Sequence, residues 1–226
     1  MIDTINLKKI LSDEKDNKVK EIKNAAHLGL QKSLASYKEE YKYTPLLRKI
    51  ESEFETLTPS NTLDNNLDKY SKHIPQNEKY YVVIINGYYQ DSLSKKPKEL
   101  KVSKYDNLED RIKDQFSETY SKYDDSKSDF FSSTNTINHK ECLAFHIEKD
   151  ISIEEKISII NIIDSSNPVY FRKCFILNKH SNLSFSEEFI NTSKNTSFSN
   201  SVCEIFLDEN SKLNYYSVQN LSLIHI

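Results

Sequence analysis

The sequence predicts an α+β chain in which an N-terminal helical region gives way to a strand-rich region. Three observations carry this. Apolar residues recur at steps of three and four between residues 15 and 57. An Asn-Gly pair between two β-prone runs marks a change of pattern at residue 80. After Glu141, six strand-like runs follow with polar turns between them. The implied boundaries are 1–79 for the helical region, 80–140 for a hairpin and polar connecting segment, 141–220 for the strands, and 221–226 for a distinct tail.

Residues 15–37 read as an amphipathic helix with Val19, Ile22, Ala26, Leu30 and Leu34 on one side. Thr44-Pro45 is a helix-entry signal, an N-cap residue followed by proline at the first helical position. Leu46, Leu47, Ile50, Phe54 and Leu57 then trace one face, and Thr58-Pro59 with the polar run through Asn66 ends it. Tyr80–Tyr89 reads as a hairpin about Asn86-Gly87. Residues 91–141 are mostly polar, with a short helix around Leu108, Ile112 and Phe116. The strands expected after that are Cys142–Ile147, Lys156–Ile163, Tyr170–Leu177, Leu183–Ile190, Val202–Leu207 and Leu213–Val218. This spacing does not choose between a sandwich, a barrel and a solenoid, and no repeat is clean enough to decide.

Composition bounds the function. A chain of 226 residues can bury roughly 70% of its unfolded surface, so a substantial core is available. A net charge of −3, with Lys and Glu mixed along the chain, gives no concentrated basic face for nucleic acid. Only two glycines occur, Gly29 and Gly87, which excludes a phosphate-cradling Gly-rich loop. Left-handed backbone positions must then fall to Asn and Asp, and the turns Asn178–Asn182 and Asp208–Ser211 suit that role. No apolar run approaches the ~20 residues of a membrane span, and Met1–Lys9 lacks a signal-peptide core. The default reading is a reducing cytoplasm with Cys142, Cys174 and Cys203 as free thiols. The Asn-X-Ser/Thr triplets at Asn182, Asn191 and Asn195 are what an Asn- and Ser-rich chain produces by chance.

The tightest group of metal-capable side chains is His139, Cys142 and His146. In a strand, Leu143, Phe145 and Ile147 take one face and Cys142, Ala144 and His146 the other. Cys142 and His146 are then about 13 Å apart along the strand, too far for direct shared ligation of one ion at ~2.0–2.3 Å. Cys174 and Cys203 read as core fillers. His27, His73 and His180 read as structural or solvated. Asp124-Asp125, Glu154-Glu155 and Glu187-Glu188 are neighbours in sequence, whereas carboxylate catalysis needs two groups facing across a cleft. No catalytic, cofactor-binding or metal residue is assigned.

Four segments in order carry a family resemblance: Glu40-Tyr-Lys-Tyr-Thr-Pro-Leu46, Val82-Val-Ile-Ile-Asn-Gly-Tyr88, Phe145–Ile157, and Phe198–Asn220. The chain resembles the SufD family of iron–sulfur assembly scaffolds, whose first segment normally carries Trp where Tyr41 stands. The related SufB subunit shares the solenoid but not the Tyr-Thr-Pro-Leu segment. The resemblance implies a right-handed parallel β-helix (β-solenoid) after the helical region. It also implies a non-catalytic subunit that pairs with a SufB-like subunit and docks a SufC-like ATPase. No cofactor is expected on this chain itself; iron–sulfur cluster, ATP and reduced flavin belong to the complex. The family's ATPase-docking helices and important histidine lie in its C-terminal half. The chain is therefore expected to be a truncated form to which no functional residue carries over. Leu221-Ser-Leu-Ile-His-Ile226 departs from the family pattern and matches a sequence that a transposon end can encode, which implies a non-native tail. The alternative is a carbohydrate-active or carbohydrate-binding β-solenoid, motivated by the strand-rich half and its tyrosines.

Overall fold

The computed structural model describes residues 7–40, 43, 46–59, 66–119 and 129–219. Helix α1 (Leu7–Asp13) precedes α2 (Asn17–Glu40). Asp16 caps α2, its carboxylate accepting from the backbone amides of Lys18 at 2.8 Å and Val19 at 3.2 Å. Of the expected stripe, Val19, Ala26 and Leu30 are buried, with Ile22 packed beside them, and the Leu34 side chain lies outside those described. In α3 (Leu46–Glu53), Ile50 is buried and joins Leu57. The Thr44-Pro45 cap and the 221–226 tail lie outside the described residues.

Strands β1 (Tyr80–Ile85) and β2 (Tyr88–Tyr89) form the expected hairpin, with Ile85 opposite Tyr88. Asn86 (φ 50°) and Gly87 (φ 85°) both take left-handed backbone, as a primed two-residue turn requires. Glycine is also demanded by space, because a Cβ on Gly87 would lie 2.5 Å from the Tyr170 carbonyl oxygen.

The connecting segment holds more structure than expected. The short helix around Ile112 is α4 (Asp110–Thr119). Strand β3 (Leu100–Lys104) and helix α5 (Phe130–Asn138) were not anticipated. The α5 sequence is poor in strong helix formers. Its helix is set by an Asp129 cap onto the Ser132 amide (2.9 Å) and by burial of most of its length.

The remaining strands are β4 (Cys142–Ile147), β5 (Ile157–Ile163), β6 (Val169–Leu177), β7 (Asn182–Asn191), β8 (Ser199–Leu207) and β9 (Lys212–Gln219). They match the expected runs within a few residues. Successive strands alternate between two sheets, ordered β2-β1-β5-β7-β9 and β3-β4-β6-β8. Every pairing from β4 onward is parallel and joins a strand to the one two positions later. Ala144, Cys174 and Glu204 are register partners at steps of 30 residues, as are Phe185 and Tyr215.

The turns repeat with the same period. Asp150 (φ 61°), His180 (φ 58°) and Asn210 (φ 56°) each hold left-handed backbone 30 residues apart. They stack, the Asp150 amide donating to the Lys179 carbonyl at 2.9 Å and the His180 amide to the Glu209 carbonyl at 3.0 Å. A 30-residue period is therefore present after all in Phe145–Ile153, Phe175–Leu183 and Ile205–Leu213. Its turn residue changes identity at each copy, which hides it from inspection.

The main apolar core lies between the sheets. An aromatic column runs through it: Phe145 stacks on Phe175 (4.6 Å between centroids), Phe175 on Phe185 (4.2 Å), and Phe185 meets Tyr215 at 4.5 Å. On the outer side of the β3-β4-β6-β8 sheet, Ala144, Cys174 and Ile176 pack with Val19, Tyr105 and Ile112. The other sheet's outer side packs Val83, Ile85 and Ile160 with Tyr70.

Candidate functional site

Strand β6 carries two adjacent cations in an otherwise apolar run, Arg172-Lys173. Period-2 alternation sends them to opposite faces of the sheet, so each needs its own partner in a dry environment. Lys173 points between the sheets, where its ammonium lies 2.5 Å from Glu187 Oε1 and donates to Ser201 Oγ at 3.0 Å. Both side chains are almost entirely buried, at 1% and 2% exposure. The aromatic faces of Phe171 and Phe189 lie 5.4 and 5.3 Å from the same nitrogen. Glu187 is further held by Asn161 Nδ2 at 2.8 Å and by the Tyr215 hydroxyl at 2.6 Å. Burial and that carboxylate keep the Tyr215 phenol protonated well above its usual range.

Arg172 points the other way, beneath α5. Its guanidinium donates to Glu204 Oε2 at 2.7 Å, to Thr136 Oγ1 at 3.0 Å and to Asn135 Oδ1 at 3.4 Å. Asn135 Nδ2 in turn donates to the carbonyls of Phe171 and Asn200, both at 3.0 Å. The contact between α5 and the sheet is thus largely polar, a geometry that fixes one docking position of the helix.

The sequence-derived group His139, Cys142 and His146 is divided by the fold. His139 ends α5, buried, its Nδ1 donating to the Asn135 carbonyl at 3.0 Å. Burial, with Lys23 and Arg172 nearby, holds its pKa well below the usual value. His146 is fully buried and accepts at Nε2 from Asn178 Nδ2 at 3.0 Å, which places its proton on Nδ1. That Nδ1 has no hydrogen-bond partner and lies 4.0 Å from Glu148 Oε1. Burial lowers the His146 pKa too, with Lys101 adding and Glu148 opposing. Cys142 and Ala144 pack on the outer side and Leu143 and Phe145 on the inner side, as alternation requires. Among the described residues, no three His, Cys, Asp or Glu side chains gather as a metal-binding group.

The three thiols are free. Burial pushes the Cys142 and Cys174 thiols far up and that of Cys203 up to about 12, so all three are protonated at neutral pH. Cys174 is a core filler as expected, whereas Cys203 is half-buried against the inner core. His180 lies exposed in a turn, its Nδ1 2.9 Å from Asp150. Glu187 and Glu188 diverge, and Asp124-Asp125 lies outside the described residues. The Lys173–Glu187 and Arg172–Glu204 pairs were not picked out from sequence. Their signal was there: a charged pair inside a nine-residue strand whose other positions are apolar, tyrosine or cysteine.

The family model for the SufBD protein N-terminal region matches residues 6–159, more than half of the chain. The chain belongs to the SufB/SufD family. Membership ties it to iron–sulfur cluster assembly by the SUF system. The matched stretch contains three of the four segments on which the SufD resemblance rests and ends before Phe198–Asn220. No curated protein matches the chain. Among the described residues, no helix is long and apolar enough to cross a membrane.

Proposed function

We propose that the chain is a SufD-type scaffold subunit of a SufBCD-like assembly, non-catalytic and cytoplasmic. It pairs with a SufB-like subunit and docks a SufC-like ATPase, and the iron–sulfur cluster is the cargo of the complex. The observation that carries this reading is the family match over residues 6–159. SufD rather than SufB is favoured by the Tyr-Thr-Pro-Leu segment at Tyr43–Leu46.

Three features of the chain support a scaffold with a β-helical body. From β4 onward strands alternate between two sheets and stack in parallel, at 30-residue steps except for the 28-residue step from β5 to β7, the pattern of a coil whose turns lie one upon another. The charges of Lys173, Glu187, Arg172 and Glu204 are spent on one another, which suits structure more than catalysis. Ile205 and Leu207 on β8, register partners of the inner Phe175 and Leu177, are exposed apolar side chains on one side of that strand, which suits contact with a partner.

Co-expression with SufB-like and SufC-like partners, followed by purification through the ATPase, tests the proposal. A stoichiometric complex containing all three is expected. Recovery of the ATPase and SufB-like subunit without this chain contradicts the reading.

A further inference from the structure

A groove opens where β5 and β7 end and the 3₁₀ turn Leu67–His73 crosses them. Its walls are fixed. The Asp164 amide donates to Asn86 Oδ1 at 2.8 Å, and Asn86 Nδ2 donates to the Asp164 carbonyl at 3.0 Å. The Thr192 amide donates to the Ile163 carbonyl at 2.8 Å, and the Ser193 amide to Asn191 Oδ1 at 2.9 Å.

The charge balance of this groove is one-sided. The carboxylate that lines it, Asp164, is already engaged by the Lys69 ammonium at 2.7 Å and by the Tyr70 hydroxyl at 2.8 Å, and a second carboxylate, Glu188 of β7, acts on the His73 ring. Lys72 and Lys194 also line it, and neither forms an ion pair among the described residues. Between them stand hydroxyls from the two strand-end loops and the half-buried ring of His73, whose pKa is lowered by burial and by Lys72. An imidazole kept neutral offers one N–H donor without demanding a counter-ion. This excess of donors and cations sits on a chain whose net charge is −3, so it is a local feature rather than a basic surface.

We propose that this groove binds the phosphate group of a small free ligand. A phosphate presents several oxygens to several donors at once, and ammonium and hydroxyl donors approaching from separate walls match it better than a planar carboxylate. Lys72 from the 3₁₀ turn and Lys194 from the loop after β7 supply the charge. The hydroxyls of Ser165 and Ser193 supply neutral hydrogen bonds. The inference does not depend on the scaffold reading, because it uses only residues of this groove.

The test is titration of the full chain with inorganic phosphate and with AMP at constant ionic strength, read by isothermal calorimetry and by the ring resonances of His73. Saturable binding that moves His73 is expected. The double variant K72Q/K194Q should weaken it at least ~10-fold, given the strength of charge-assisted hydrogen bonds. The variant K179Q, at a lysine paired with Glu209 in a distant turn, should leave it unchanged. Both lysines of the double variant are exposed, and an unchanged melting temperature confirms that it folds. Tighter binding of AMP than of phosphate assigns the site to a nucleoside phosphate, and equal binding assigns it to the bare anion. Non-saturable binding, or equal affinity in wild type and K72Q/K194Q, overturns the proposal.

Discussion

Lys173 and Glu187, on strands of opposite sheets, form an ion pair of 2.5 Å inside the apolar core, shielded from solvent on all sides. Two charges in such a place hold each other, and either alone is costly. Lys173→Met or Glu187→Gln should each lower unfolding free energy by about 3–5 kcal/mol, whereas the double variant K173M/E187L should recover much of that loss. Urea denaturation of the three variants checks this. A double variant no more stable than the singles would show that the pair itself, and not the relief of an orphaned charge, stabilises the core.

Gly87 sits at φ 85° with the Tyr170 carbonyl where its Cβ would be. Gly87→Ala combines left-handed strain with a backbone clash and should cost about 1–3 kcal/mol. Asn86→Gly, at the neighbouring left-handed position, removes only hydrogen bonds to Asp164 and should cost less. Thermal melts of the two variants read the difference.

The stacked turns offer a test of opposite sign. Asn210→Gly relieves the left-handed penalty and should stabilise by up to ~1 kcal/mol, whereas Asn210→Val should destabilise by about 1–2 kcal/mol. Equal melting temperatures for the Gly and Val variants would mean that the turn rearranges.

Acid sensitivity follows from the two buried imidazoles. In the fold, burial holds His139 and His146 below their ordinary value of 6.5, so near that pH protons are taken up by the unfolded chain first. Their contribution is fully present above about pH 6.5 and shrinks as pH falls toward the folded values. Glu148 adds to the decline lower down, because its hydrogen bond to Lys101 holds its carboxyl below the usual 4.5. Denaturation midpoints should therefore fall between pH 7 and 5. The variant H146Q, which keeps an acceptor for Asn178, should flatten that fall.

Much of the fold was legible because strand alternation and helical stripes are local signals. The Asn86-Gly87 hairpin, the Val19–Leu30 stripe and all six late strands could be read off. The two glycines led correctly to Asn and Asp at left-handed positions, with His180 as the unforeseen third type. Strand β3 and helix α5 were hidden because their partners lie far along the chain: Leu100 pairs with Ile147, and Asn135 bonds to Phe171 and Asn200. The 30-residue period was masked by changes of residue at each turn. The buried ion pairs needed the register to be seen, since Lys173 and Glu187 meet only once β6 and β7 face each other.

On the proposed reading this chain supplies shape and surface to cluster assembly rather than chemistry, and its three protonated thiols, two buried and one half-buried, are the sharpest place to ask. The measurement is the rate of cluster transfer to an apo-ferredoxin by the complete complex carrying Cys142→Ala, Cys174→Ala and Cys203→Ala together, with complex assembly followed in parallel. An assembled complex that transfers clusters at the unaltered rate is expected. An assembled complex that has lost cluster formation would contradict it.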